Sequence, residues 1–473
     1  MKSELAGAPT AASTAAATAS AAELADGGMV SVALSRFLSP RSANAVEALA
    51  LRAVGLATAF AVSVGLGRLL GARGAGEYFL YNTWTNVLGT IFALGLPPAV
   101  LRWVARFEER RDYAASRRMV WGAVGAVALA GAVGAVAVGV APERLAVLLL
   151  GDSALTFLLR MAVLSGIFTA VLRVLADALK SRGRASAGLT VEFSVVPFGV
   201  LLCLAAAVLA GVTVRPATAI WSYALAAAAA IAIAARLLFR RWPRATAAAS
   251  AAGAAAALNG EHAISRRELA GFWAVDLLGI VLVNSAFVVL PHVASPADVG
   301  RFGVAHRLVS LGSVSLMAFA SLFAPQFARL HESGDPSGLR GALRSSQFYC
   351  VLAFVPLLLV YVVLGPYVLA VFGAEFRSAA PMLWVMSAGQ LIAMTAGLSS
   401  YFLLMTGHQN WDVGVLAVSL VVTAALAVIG GRVWGAFGVA AAYGASIALR
   451  ALLAYCAARV ALRGLSSTGA ARA

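Results

Sequence analysis

Apolar residues in this chain run in unbroken blocks of about twenty, the length a helix needs to cross a bilayer. The blocks lie near residues 45–67, 77–97, 119–140, 153–177, 187–211, 218–238, 270–292, 302–325, 346–364, 379–402, 412–430 and 436–462. Strands of a membrane barrel would alternate apolar and polar positions, and these blocks do not. The pattern therefore predicts an all-α polytopic membrane protein with about twelve transmembrane helices. Residues 1–43 are rich in Ala, Ser and Thr and lack the leucine-rich centre of a secretory signal. They read as a disordered cytoplasmic tail, in which Met29–Leu38 has the composition of a short interfacial helix.

One block is different. From Glu77 onward Tyr78, Asn82, Thr85, Asn86 and Gly89 recur at i, i+4, i+7, i+8 and i+11, so they share a helix face. A polar stripe on a spanning helix, reached through the glycine-rich turn Gly71–Gly76, predicts the wall of a membrane cavity. The same arrangement returns between residues 272 and 329. Gly76-Glu77-Tyr78 matches Gly300-Arg301-Phe302, and Pro98 and Arg102 match Pro325 and Arg329. In this register Arg52 falls opposite Asp276, Arg68 opposite His292 and Asn82 opposite His306. A further match pairs Gly151 with Gly373 and Ser165 with Ser387. Two related halves follow, an N-terminal six-helix bundle over 44–240 and a C-terminal one over 269–463. The Ala/Gly-rich linker 241–268 joins them, and a tail, 464–473, follows. Both halves begin on the same side of the membrane, so the bundles form a parallel repeat.

Composition agrees. Of 473 residues 61% are hydrophobic and 12% charged, and mean hydropathy is +0.88. A soluble domain is nearer half apolar and a quarter charged. The net charge of +16 is concentrated between the apolar blocks, which argues against a nucleic-acid-binding face. One set of loops carries most of it, including Arg102, Arg106, Arg110, Arg111, Arg117, Arg118, Lys180, Arg182, Arg184, Arg240, Arg241, Arg244, Arg329, Arg340 and Arg344. The opposite set has little more than one basic residue per loop. By the positive-inside rule both termini are cytoplasmic. Cys203, Cys350 and Cys456 each lie inside an apolar block and read as small core residues. No catalytic constellation appears. The five histidines lack metal-ligand spacing, and there is neither a nucleophile elbow nor a phosphate-cradling lysine loop. A non-enzymatic protein without cofactor is the expectation.

Several segments carry a family resemblance. They are Gly67-Arg68-Leu69-Leu70-Gly71 with Gly76-Glu77-Tyr78, Leu94-Gly95-Leu96-Pro97-Pro98-Ala99-Val100-Leu101-Arg102, Leu369-Ala370-Val371-Phe372-Gly373-Ala374-Glu375-Phe376, Gly407-His408-Gln409-Asn410, and Trp434-Gly435-Ala436-Phe437-Gly438. Their order and spacing across 45–462 resemble the multidrug/oligosaccharidyl-lipid/polysaccharide exporter superfamily, and within it the bacterial polysaccharide exporters. About twelve spans fit that branch better than the fourteen of the peptidoglycan-precursor flippases. The resemblance implies a flippase of lipid-linked, O-antigen-type oligosaccharide for lipopolysaccharide and other surface polysaccharide. It would work by alternating access in the bacterial inner membrane, beside other polysaccharide-assembly proteins. The rival readings are a cation-coupled drug exporter of the same superfamily and a membrane glycan polymerase or ligase. The latter would need a large outer loop, and none is present in this topology.

Charged groups inside a bilayer need a partner, a cavity or a route to the interface. Arg52 and Asp276 each lie about two turns, roughly 10 Å, into the first span of their half. The reading is that Arg52 binds the lipid pyrophosphate bidentately and that Asp276 holds Arg52 when the site is empty; the alternative is a structural ion pair. His306, with Ser310 and Ser313, repeats the stripe of Asn82 and Asn86, and the two stripes are expected to face one sugar-accepting cavity, with Arg307 as a second anion contact. Hydrogen bonding between packed helices is the plainer account of any one of these residues. Arg173 and Asp177 read as a local i,i+4 pair. Glu192 and Asp276 are candidate ion-coupling carboxylates, although Glu192 reads more simply as a partner for Arg173. The topology is checked by reporter fusions at residues 365–378 and 431–435: both are expected to report the outer side, and a cytoplasmic signal at either would refute the assignment.

Overall fold

The computed structural model describes residues 43–240, Trp242 and residues 266–470. The N-terminal tail with its interfacial helix, nearly all of the 241–268 linker and the last three residues lie outside the described residues. Met1–Ala50 and Leu51–Ala473 separate as two units, and of the first only the helical residues 43–50 are described.

Among the described residues the secondary structure is entirely helical. The longer helices are α1 (Ala43–Ala93), α2 (Leu96–Glu109), α3 (Tyr113–Val140), α4 (Thr156–Ser181), α5 (Val196–Leu209), α6 (Pro216–Phe239), α7 (Arg266–Val289), α8 (Pro296–Ser310), α9 (Gly312–Glu332), α10 (Pro336–Ala370), α11 (Ala380–Ala396) and α12 (Gln409–Ala470). Among the described residues ten stretches are long and apolar enough to cross a membrane. The difference from twelve apolar blocks arises at two glycines. The turns predicted at 71–76 and 431–435 are each reduced to one left-handed residue, Gly71 (φ 67°, ψ −176°) in α1 and Gly435 (φ 57°, ψ −137°) in α12. Helix resumes directly after each, because a residue without Cβ reverses direction there at little cost.

Proline shapes the block predicted at 187–211. Pro197 has no N–H, and its ring displaces the carbonyl four residues earlier, that of Phe193. The chain responds with a π-helical turn over Val191–Val195. The displaced Phe193 carbonyl lies against Gly55 of α1, where a methyl group would sit 2.5 Å from it. Only glycine fits.

The molecule has two distinguishable ends. At the Gly71 end the two halves touch through backbone. Gly76 and Gly300, matched in the sequence register, meet each other: a Cβ on Gly76 would strike the Pro296 carbonyl, and one on Gly300 would strike that of Ala72. Gly67 lies against the Phe372 carbonyl and Gly151 against that of Pro291. Side chains then clasp backbone across the same seam. Arg68 Nε donates to the Val371 carbonyl at 2.7 Å, His292 Nε2 is 3.1 Å from the Leu148 carbonyl, and the Ala72 amide donates to Glu375 Oε1 at 2.7 Å. Arg68 is thus engaged at the seam.

At the other end, marked by Arg102, contact between halves is sparser and is made by α7. Leu269 and Trp273 press on Gly95, and Arg102 bonds Glu268 at 2.5 Å. Apolar packing forms one large cluster through the N-terminal half and the seam, and a second within the C-terminal half around Phe327, Leu343, Cys350, Phe354 and Phe402. Outward faces are apolar too: Leu129, Val133, Val136 and Val140 of α3 are exposed, as a lipid-facing helix requires. The three cysteines are free, and Cys350 is a buried core residue.

The seam predicts a sharp contrast inside one motif. Gly67→Val or Gly300→Val drives a side chain into backbone and is expected to cost about 1–3 kcal/mol or more. Gly65→Ala, at a position open for at least 4 Å, is expected to leave stability unchanged. Thermal unfolding of the detergent-purified variants checks this, and equal effects at Gly65 and Gly67 would refute the seam.

Candidate functional site

The predicted site residues divide among three environments. Asn82 and Arg307 come together. With Tyr78, Ser63, Pro197 and Tyr223 they line a cavity of about 90 Å³ where α1, α5, α6 and α8 meet. Helical periodicity explains why Arg307 is here and His306 is not. Successive residues point about 100° apart, so Arg307 turns to the N-terminal half while His306 turns into its own. His306 sits among Phe287, Phe302 and Tyr443, with ring centroids 4.9–6.0 Å away. Its Nε2 is buried without a hydrogen-bond partner. The expectation that His306 and Asn82 face one sugar-accepting cavity is corrected accordingly.

The polar stripe of α1 also divides. Tyr78 and Asn82 reach the cavity. Asn86 folds back, its Nδ2 donating to the Asn82 carbonyl at 2.7 Å and to Asn82 Oδ1 at 3.2 Å. Gly89 packs on Gly166 of α4, and the neighbouring Tyr81 donates to Ser165 Oγ at 2.5 Å. The stripe therefore serves helix packing at one end and a cavity at the other, a distinction periodicity cannot make.

Arg52 and Asp276 do not meet. Asp276 Oδ2 accepts from Arg173 Nη2 at 2.8 Å, and Arg173 Nη1 also donates to Thr90 Oγ1 at 3.2 Å. Arg52 lies over the Phe193 ring, 5.3 Å from its centroid, with Nε buried and unpartnered. The reason is an asymmetry between the first helices of the two halves. The early part of α1 stays on its own half, held by Gly55 against Phe193 and by Ser194 Oγ donating to the Leu51 carbonyl at 3.3 Å. The early part of α7 instead leans across onto α2 and α4 through Trp273, Glu268 and Asp276.

The remaining carboxylates are claimed by a lysine the sequence reading had not weighed. Lys180 Nζ donates to Asp177 Oδ1 at 2.8 Å and also to Glu192 Oε2. The local Arg173–Asp177 pair and the Glu192–Arg173 pair are therefore not formed. Lys180 lies one turn beyond Asp177 on the same face of α4, so its spacing was a usable signal. Arg182 completes the cluster, bonding Glu108 at 3.1 Å while its guanidinium stacks 4.4 Å from the Trp242 ring.

A third environment was not foreseen. A cavity of about 340 Å³ opens within the C-terminal half, bounded by α7, α8, α9, α11, α12 and the short helix over Ser399–Met405. Ser310 and Ser313 reach it, as does Arg450. No group of three or more His, Cys, Asp or Glu side chains is placed to hold a metal among the described residues.

No family model matches the sequence, and no curated protein matches it either. Solved structures do. The chain superposes on a multidrug resistance MATE family transporter of the MOP superfamily in its inward-facing conformation with a TM-score of 0.71, at 14% identity, covering 90% of this chain and 99% of that one. Lipid II flippase MurJ, in an inward closed conformation, gives 0.66 at 12% identity over 88% of this chain and 87% of that one. An outward-facing MATE family transporter gives 0.59 at 13% identity over 89% and 96%. The chain has the fold of the MOP-superfamily transporters, the multidrug/oligosaccharidyl-lipid/polysaccharide exporters that its sequence resembles.

A double-mutant cycle on Arg173→Ala and Asp276→Ala is expected to show coupling of about 0.5–1 kcal/mol, modest because both groups are roughly one-third exposed. The parallel cycle on Arg52 and Asp276 is expected to show none, measured by thermal unfolding; the reverse pattern would restore the Arg52–Asp276 pair.

Proposed function

We propose that this protein is a multi-pass membrane transporter that moves a lipid-linked oligosaccharide, a polyprenyl-pyrophosphate glycan, from the inner to the outer leaflet by alternating access, for surface polysaccharide biosynthesis. The observation that carries this reading is the charge of the interior. Among the described residues Arg52, Arg307 and Arg450 make no ion pair, whereas Asp177, Glu192 and Asp276 each bond a cation and only Asp412, at the start of α12, has a buried carboxylate oxygen without a partner. Unpaired guanidinium groups suit a pyrophosphate, whose oxygens they bind bidentately. A cation-coupled drug exporter needs the opposite, a carboxylate free to exchange a proton or metal ion for its substrate. Glu192 and Asp276 would couple an ion only after their present pairs open.

In this reading the ten membrane-crossing stretches, two of them doubled at Gly71 and Gly435, make twelve spans in two six-helix halves, 44–240 and 269–463. The meeting of Gly76 with Gly300 supports the parallel repeat. Both termini are cytoplasmic in the inner membrane, and the Gly71 end is the outer one. The outer seam is closed, so the glycan enters past α7 at the Arg102 end. An anion arriving there competes with Glu268 for Arg102 and with Asp276 for Arg173, and each exchange loosens a bridge between the halves. Substrate binding thereby favours reorganisation of the inner contacts. The bilayer, the lipid-linked glycan and other polysaccharide-assembly proteins are the partners in this scheme.

A deletion strain of the source bacterium tests it. Complete lipid-linked repeat units are expected to accumulate on the cytoplasmic leaflet, cleared by the wild-type gene and not by Arg307→Gln, with drug susceptibility unchanged. Repeat units that reach the outer leaflet but stay unpolymerised would overturn the reading.

A further inference from the structure

The cavity in the C-terminal half has a composition its helices do not need for packing. Arg450 lies fifteen residues past Gly435, about 22 Å along α12, and so well inside a core about 30 Å thick. It reaches the cavity and, among the described residues, makes no hydrogen bond or ion pair, and no Asp or Glu lines the space. Gln390 of α11 also lines it. That residue is only 3% exposed, yet its side-chain amide has no hydrogen-bond partner. The Tyr443 hydroxyl, on the same face of α12 as Arg450 two turns earlier, lines the cavity and is likewise unbonded.

Gln390 is buried, while Arg450 and Tyr443 are half-buried and open onto the cavity, where a polar group gains from a partner and a guanidinium gains most. A single unsatisfied donor is readily met by one water. Here a fixed positive charge, an amide and a phenol from two helices line one void, and no carboxylate is among its lining residues. Part of the lining is apolar, formed by Leu282 of α7, Met317 of α9 and Ile447, which lies between Tyr443 and Arg450 on α12. A volume of about 340 Å³ falls at the lower end of small-molecule sites, far too small for a whole lipid-linked oligosaccharide.

We propose that this cavity is an anion-binding site for a single phosphate-bearing group, with Arg450 as the bidentate charge partner and Gln390 and Tyr443 as neutral donors. A phosphate presents acceptor oxygens to all three donors at once, and neutralises the one uncompensated charge. The apolar part of the lining receives what the phosphate carries, an isoprenoid unit or the carbon face of a sugar. The site is distinct from the Asn82–Arg307 cavity, with which it shares no lining residue. It rests on the proposed transport only for the origin of the phosphate, and its test does not involve transport.

The full-length protein in phosphatidylcholine nanodiscs is titrated with farnesyl phosphate, with inorganic phosphate and with neutral farnesol, and thermal unfolding reports binding. Saturable stabilisation by farnesyl phosphate and none by farnesol is expected. Arg450→Gln weakens it by about tenfold or more and Gln390→Leu by several-fold, as expected for lost charge-assisted and neutral hydrogen bonds. Arg160→Gln, at an exposed position outside the cavity, leaves it unchanged. Stabilisation by inorganic phosphate as well would assign the site to free anions, and stabilisation by farnesyl phosphate alone would assign it to a lipid headgroup. If Arg450→Gln does not fold, Gln390→Leu and Tyr443→Phe read the same loss. Absence of binding in the wild type, or binding undiminished in the variants that fold, would overturn the site.

Discussion

Close approach of backbone at the Gly71 end is the constraint from which the rest of this structure follows. Gly67, Gly76, Gly151 and Gly300 let carbonyl groups of opposite halves lie where a Cβ would otherwise be. In a bilayer there is little hydrophobic drive between helices, so contact area and backbone proximity set the strength of association. Arg68 and His292 add side-chain clasps onto carbonyls, and both belong to the last turn of the first span in their half. A seam of this density leaves no passage at that end. Any opening must occur toward Arg102, where ion pairs and the early turns of α7 replace backbone contact.

The two kinds of closure differ in how they respond to a ligand. Backbone contacts at the seam carry no net charge, and a soluble or lipid-linked anion has nothing there to compete for. The Arg102–Glu268 and Arg173–Asp276 bridges are charge pairs, partly exposed, and in the proposed scheme an anion competes for their arginines. Under the proposed alternating access, packing would hold one end and charge pairs the other.

Charge distribution inside the spans follows from the cost of isolating an ion in low dielectric. Acidic groups are few, and Asp177, Glu192 and Asp276 each end on a cation. Arginines are in surplus, so some remain without an anion, and the chain accommodates them beside a ring, as Arg52 over Phe193, or in cavities, as Arg307 and Arg450. Asn82 and Gln390 place amides in those same cavities, which suits a ligand with both charged and hydroxyl-bearing parts.

Membrane-spanning character, the number of apolar blocks and the glycines of the turns were all legible in the sequence, because each depends on composition over one helix length or on a single residue's lack of Cβ. The match of Gly76 with Gly300 as repeat positions was legible too, whereas their contact is a finding of the tertiary structure. Pairing of charges was not. Opposition of Arg52 and Asp276 in the repeat register presumed that the halves are equivalent, whereas Pro197 and Gly55 hold α1 to its own half while α7 crosses to the other. Which of two adjacent residues faces a cavity, His306 or Arg307, depended on the rotation of α8 against its neighbours. The C-terminal cavity around Arg450 and Gln390 draws its lining from six helices, the short one over Ser399–Met405 included, and no spacing along the chain records it. Local chemistry thus determined the elements and their ends, while the tertiary structure decided the partners, since only packing between distant helices sets which charged groups come within reach.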